Sequence, residues 1–97
     1  MNKLRAIPPG EILKEEIDFL GYSANQFAKM LNVPTNRITA ILNAQRSITA
    51  DTALRLSQFF GTSPEFWMNL QTSYDLKVTS VKLGKRIKLE VRHKNAA

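Results

Sequence analysis

Apolar residues recur along this chain at intervals of three and four, the repeat that places them on one face of an α-helix, in stretches separated by Gly, Pro and short polar links. In the first, Leu13, Ile17 and Leu20 share a face while Glu11, Glu15 and Asp18 share another, and Pro9 and Gly21 bracket a predicted helix over 9–20. Ser23 and Gln26 then form an S-x-x-Q capping box, in which each side chain satisfies an amide that a first helical turn leaves unpaired. Phe27, Met30 and Leu31 give the next helix its apolar stripe, and Ala28 is small where a crossing helix must approach. Asn32 suits a left-handed corner, Val33 turns inward behind it, and Pro34 fits the first turn of a helix whose core face is Ile38, Ile41 and Leu42. Thr49 caps a helix over 50–60, with Asp51 near its positive end and Ala53, Leu54, Leu56, Phe59 and Phe60 as apolar positions. Gly61 stops it. Thr62 or Ser63 caps a fifth helix from Pro64, and Trp67, Leu70, Tyr74 and Val78 carry that helix into the late seventies.

This pattern needs no sheet to bury its stripes and predicts an all-α fold, a compact five-helix bundle over 9–78. A flexible arm, 1–8, precedes the bundle and a basic tail, 79–97, follows it. Within the tail, residues 86–92 read RIKLEVR, whose period of two predicts a short C-terminal β-strand. A frayed tail and a continued helix are the competing readings, and Gly84 weighs against the helix. Phe66, Trp67, Leu70 and Tyr74 belong to an apolar cluster that is large for so short a stretch. Either they fill the core of one chain or they meet a two-fold partner in a homodimer, and the two readings stand level.

The stretch 21–43 is therefore two short helices pinched around a tight turn, which is a helix-turn-helix. Thr35, Asn36, Thr39 and Asn43 lie on the second helix opposite its core face. Short amides and hydroxyls there can reach base edges in a major groove, and Asn suits the paired donor and acceptor of adenine. Residues 19–50 contain Lys29, Arg37 and Arg46 and no acid, as a phosphate-facing surface requires, with Arg46 placed to touch a phosphate.

Charge qualifies this picture. The net charge of +6 does not come from the body, where seven basic residues before position 77 balance seven acidic ones. Residues 77–97 hold seven basic residues against Glu90 alone, so the tail carries the excess. The chain has no Cys and its one His is His93, which leaves no thiol nucleophile, disulfide or Cys/His metal cluster. Glu15 and Glu16 point to different sides of a helix, no Gly-rich phosphate loop occurs, and no catalytic triad can be assembled. The expectation is a binding protein with no catalytic residue, cofactor, metal or small-molecule substrate. No secretory signal or membrane-spanning run is visible, so a cytoplasmic location is expected.

Pro9-Gly10-Glu11-Ile12-Leu13, the helix-turn-helix, 48–56 (ITADTALRL), 61–67 (GTSPEFW) and Asn69-Leu70-Gln71 together resemble the HigA family of antitoxins. This group, also called virulence-associated protein I, lies within the Xre and Cro/C1 class of lambda-repressor-like folds. The resemblance covers about 9–76; it departs at Pro8, where the family usually has His, and does not reach the tail. It implies an antitoxin that binds double-stranded operator DNA as a dimer, represses its own operon and silences a HigB toxin, an RNA-cleaving nuclease related to RelE. It places base contacts on Thr35, Asn36, Arg37, Thr39 and Ala40 and phosphate contacts on Ser23, Asn25 and Arg46, to which Lys29 and Asn43 are added here. Because such nucleases tend to be basic, Glu11, Glu15 and Asp18 are the expected toxin contacts rather than the cationic tail. A stand-alone Xre-type repressor and a protein-interaction adaptor are the alternative functions.

Overall fold

A computed structural model describes residues 5–95. Among them the chain forms five helices and no strand: α1 (Pro9–Leu20), α2 (Ala24–Leu31), α3 (Thr35–Leu42), α4 (Ala50–Phe60) and α5 (Pro64–Glu90). The local signals account for most of the boundaries. Gly21 ends α1 in the left-handed region, at φ 80°. The capping box closes in both directions, Gln26 N–H donating to Ser23 Oγ at 3.1 Å and Ser23 N–H to Gln26 Oε1 at 2.8 Å. Pro34 stands just outside α3 as its N-cap rather than within it. Ser63, not Thr62, caps α5; the Thr62 hydroxyl instead accepts a 3.0 Å hydrogen bond from the Trp67 indole N–H.

One core holds the bundle together: Leu13 and Ile17 from α1, Phe27, Ala28 and Leu31 from α2, Ile38 and Ile41 from α3, Ile48, then Ala53 and Leu56 from α4 and Trp67 from α5. The aromatic residues form a continuous stack within the chain. Phe27 meets Phe59 at 5.2 Å, Phe59 meets Phe60 at 4.9 Å, and Phe60 meets Trp67 at 5.6 Å between centroids. Leu20, Met30 and Leu54, assigned to apolar stripes from spacing, are exposed. At Gly10, α1 crosses the end of α3 so closely that an added Cβ would stand 2.0 Å from the Ile41 carbonyl oxygen.

The expected strand over 86–92 does not form. Those residues continue α5 to Glu90, and the chain leaves the helix only at Val91. A strand needs a paired edge, whereas a helix satisfies its own backbone, and Lys, Arg, Leu and Glu are good helix formers. A 2.9 Å ion pair between Arg86 and Glu90, one turn apart, supports the same outcome. Gly84 weakens the helix there without breaking it. At 27 residues α5 spans about 40 Å, and it projects beyond the bundle to give a molecule of 57 × 23 × 21 Å. No helix among the described residues is long and apolar enough to cross a membrane.

Candidate nucleic-acid interface

The geometry of α3 follows from its two anchors. Asn32 takes a left-handed conformation, φ 57° and ψ 50°, and Val33 N–H donates back to the Ala28 carbonyl at 3.0 Å. That corner swings the chain across α2, and burial of Ile38 and Ile41 sets the rotation of α3 about its own axis. Asn36 and Asn43 are consequently exposed, and Thr35, Thr39 and Ala40 are half-buried with none of them enclosed. Thr35 Oγ1 donates to Asn25 Oδ1 at 2.8 Å, which ties the start of α3 to the start of α2 and leaves the Asn25 amide hydrogens directed elsewhere. Thr39 Oγ1 makes a long 3.4 Å contact with the Asn36 carbonyl.

Arg37, expected with the base-reading side chains, is turned toward α4. Its guanidinium donates to Asp51 Oδ2 at 2.5 Å, and its side chain is 23% exposed. The same oxygen accepts Arg55 Nε at 2.9 Å, and Arg55 Nη1 reaches the carbonyl of Leu31, the last residue of α2, at 3.0 Å. The Asp51 carboxylate thus ties α4 to α3 directly, and Arg55, which it holds, ties α4 to the end of α2. The hydrogen bonds from Arg55 and then Arg37 hold the Asp51 carboxyl below the usual aspartate range, against the opposing effect of desolvation. A carboxylate with a lowered value keeps its contacts at neutral pH and loses them only as the pH falls through that value, so this link loosens in acid.

The residues assigned to phosphates frame α3. Ser23, Asn25, Lys29, Asn43 and Arg46 are all exposed, and the Ser23 oxygen also caps α2. The turn after α3 places Ala44 at φ 59° while Gln45 N–H donates to the Ala40 carbonyl at 2.8 Å, which directs the following segment with Arg46 outward.

On α1 the expected acidic stripe carries its own counter-ions. Both carboxylate oxygens of Glu11 accept from Arg5 at 2.8 Å, and Lys14 Nζ meets Asp18 at 2.8 Å, while Glu15 is exposed. The Arg5 hydrogen bonds draw the Glu11 carboxyl below its ordinary range. Of the residues expected at a dimer contact, Trp67 is 1% exposed within its own chain, Phe66 is exposed, and Leu70 and Tyr74 are half-buried.

Sequence reasoning missed three polar residues that hold this unit in place: Asp51, Arg55 and Gln71. Buried Gln71 accepts from Ile48 N–H at 2.8 Å and donates to Asp75 at 3.0 Å, tying the segment after α3 to α5. The spacing of four between Asp51 and Arg55 was the one available signal, and it could not point to Arg37.

An exposed polar helix braced across a tight corner by a second helix defines the helix-turn-helix class of DNA-binding folds. A family model described as helix-turn-helix matches residues 13–67. Virulence-associated protein I of Dichelobacter nodosus is 53% identical over 78 residues, which is 79% of this chain and 72% of that protein. A solved addiction module antidote protein of a HigA family from Coxiella burnetii shares 64% identity at a TM-score of 0.90, over 93% of this chain and 99% of its own. The Pseudomonas aeruginosa antitoxin HigA, solved with the higBA promoter, shares 40% identity at a TM-score of 0.89, over 93% and 99%. The chain belongs to the HigA-type antitoxins of the helix-turn-helix family.

Proposed function

We propose that this chain is the antitoxin of a type II toxin-antitoxin system, which as a cytoplasmic homodimer reads its own operator, represses its operon and neutralises a HigB/RelE-like RNA-cleaving toxin. The observation that carries the DNA half is the outward face of α3, where Asn36 is exposed and Thr35 and Thr39 remain accessible on a helix locked from behind. The Pseudomonas aeruginosa relative solved with a promoter supports it. Thr35, Asn36, Thr39 and Ala40 meet base edges, while Ser23, Asn25, Lys29, Asn43 and Arg46 meet phosphates on either side. Two copies present their reader helices one DNA turn, roughly 34 Å, apart, and the exposed Phe66 with Leu70 and Tyr74 offers apolar surface for pairing.

Footprinting on DNA upstream of its own gene should reveal a protected palindrome, and its absence would sink the repressor reading. Asn36→Ala should cost about 1–3 kcal/mol against that site and relax preference at one base pair, whereas Arg46→Ala should weaken all sequences alike and flatten the salt dependence. The toxin half has its own test. Co-expression with an adjacent small open reading frame should restore growth and yield a co-purifying complex, and reversing the charges of Glu11, Glu15 and Asp18 should abolish that complex. Binding that survives the reversal but is lost on removing the tail would move the toxin surface to the end of α5.

A further inference from the structure

The segment 19–50 is free of acids along the sequence, but not in space. Asp51, one residue past its end, folds back onto Arg37, the long cation in the first turn of the reader helix. Arg55 fixes Asp51 from the other side and is itself held by the Leu31 carbonyl, so the carboxylate is anchored and the Arg37 guanidinium is the group it restrains. A free arginine on this face would behave differently. Its contacts with phosphate gain affinity for every sequence alike, which lowers discrimination.

We propose that Asp51 is a specificity-determining positioning residue: it holds Arg37 against α4, so that the reader helix meets DNA with short uncharged side chains instead of a mobile cation. This rests on the DNA-binding reading above. It assigns Arg37 to the scaffold of the interface and Asp51 to the control of how much binding is driven by charge alone.

The test compares the full-length protein with Asp51→Asn, Arg37→Gln and the double variant, by fluorescence anisotropy on its operator duplex and on a scrambled duplex across a salt series. Asp51→Asn should tighten binding to the scrambled duplex roughly three- to tenfold at low salt and steepen the logarithmic salt slope by about 0.9, the signature of one added phosphate contact. The ratio of operator to scrambled affinity should fall. Arg37→Gln should leave the salt slope unchanged, and the double variant should match Arg37→Gln. Asp51→Ser, which also suits a first helical turn, repeats the measurement should the Asn variant fold poorly.

Three results would overturn the proposal: an Asp51→Asn slope and ratio equal to those of the parent, an Arg37→Gln variant with a flattened slope, or a gain that persists in the double variant. The last would mean that the lost acid acts through bulk charge. A parent protein with no operator preference would instead remove the DNA-binding reading itself, and this inference with it.

Discussion

The reading unit and the far half of α5 are both helical, yet they are held by different forces. Each of α2 and α3 is eight residues long, too short to persist in water by backbone hydrogen bonding alone. They form because Phe27, Ala28, Leu31, Ile38 and Ile41 are buried together. Beyond residue 78 the situation reverses. Val81, Leu83, Ile87 and Leu89 are exposed, and the helix rests on good helix formers, the Arg86–Glu90 pair and its continuity with an anchored first half. The difference teaches where accuracy resides: a side chain that must meet a particular atom on a partner belongs on the element whose rotation is set by a core. Thr35, Asn36 and Thr39 have such a mount, and the cations of the tail do not.

If that contrast is right, truncating the core should dominate every other change. Phe27→Ala, which removes the ring packed on Phe59 and Phe60, should cost about 3–5 kcal/mol in denaturant unfolding and move the cooperative transition of the whole bundle to lower denaturant. A loss below 1 kcal/mol would mean that α2 is not held by burial. Gly10→Ala should follow at about 1–3 kcal/mol, because its Cβ has no room against the Ile41 carbonyl and α1 must shift off α3. In the projecting half, Gly84→Ala should instead strengthen the helix by up to about 1 kcal/mol, seen as slower amide exchange over 80–90 with an unchanged bundle transition. A rise in the main melting temperature would show that the two regions unfold as one. Leu89→Lys, at a position 88% exposed, should move stability by less than about 0.5 kcal/mol. A larger loss in the purified protein would reveal that Leu89 is covered in solution.

The parts legible in the sequence were those with local causes. The Ser23 and Gln26 box, Gly21 and Gly61 as stops, Asn32 as the corner and the outward set around Asn36 all follow from groups a few residues apart, whose geometry is fixed once a helix exists. The strand expected over 86–92 failed for a related reason. Alternation describes which side chains would share a face, but a strand also requires a neighbour, and no property of RIKLEVR supplies one.

By itself, then, the sequence determined the helices of the bundle, their stops and the polar character of the outward face of α3, because capping and periodicity act over a few residues at a time. Only the tertiary structure decided that Trp67 fills its own chain's core, that Gln71 braces the segment after α3, and that Asp51 reaches back fourteen positions to Arg37. Those pairings join residues from separate helices. They depend on how whole elements cross, a relation set by the packing of the entire core that no local window contains.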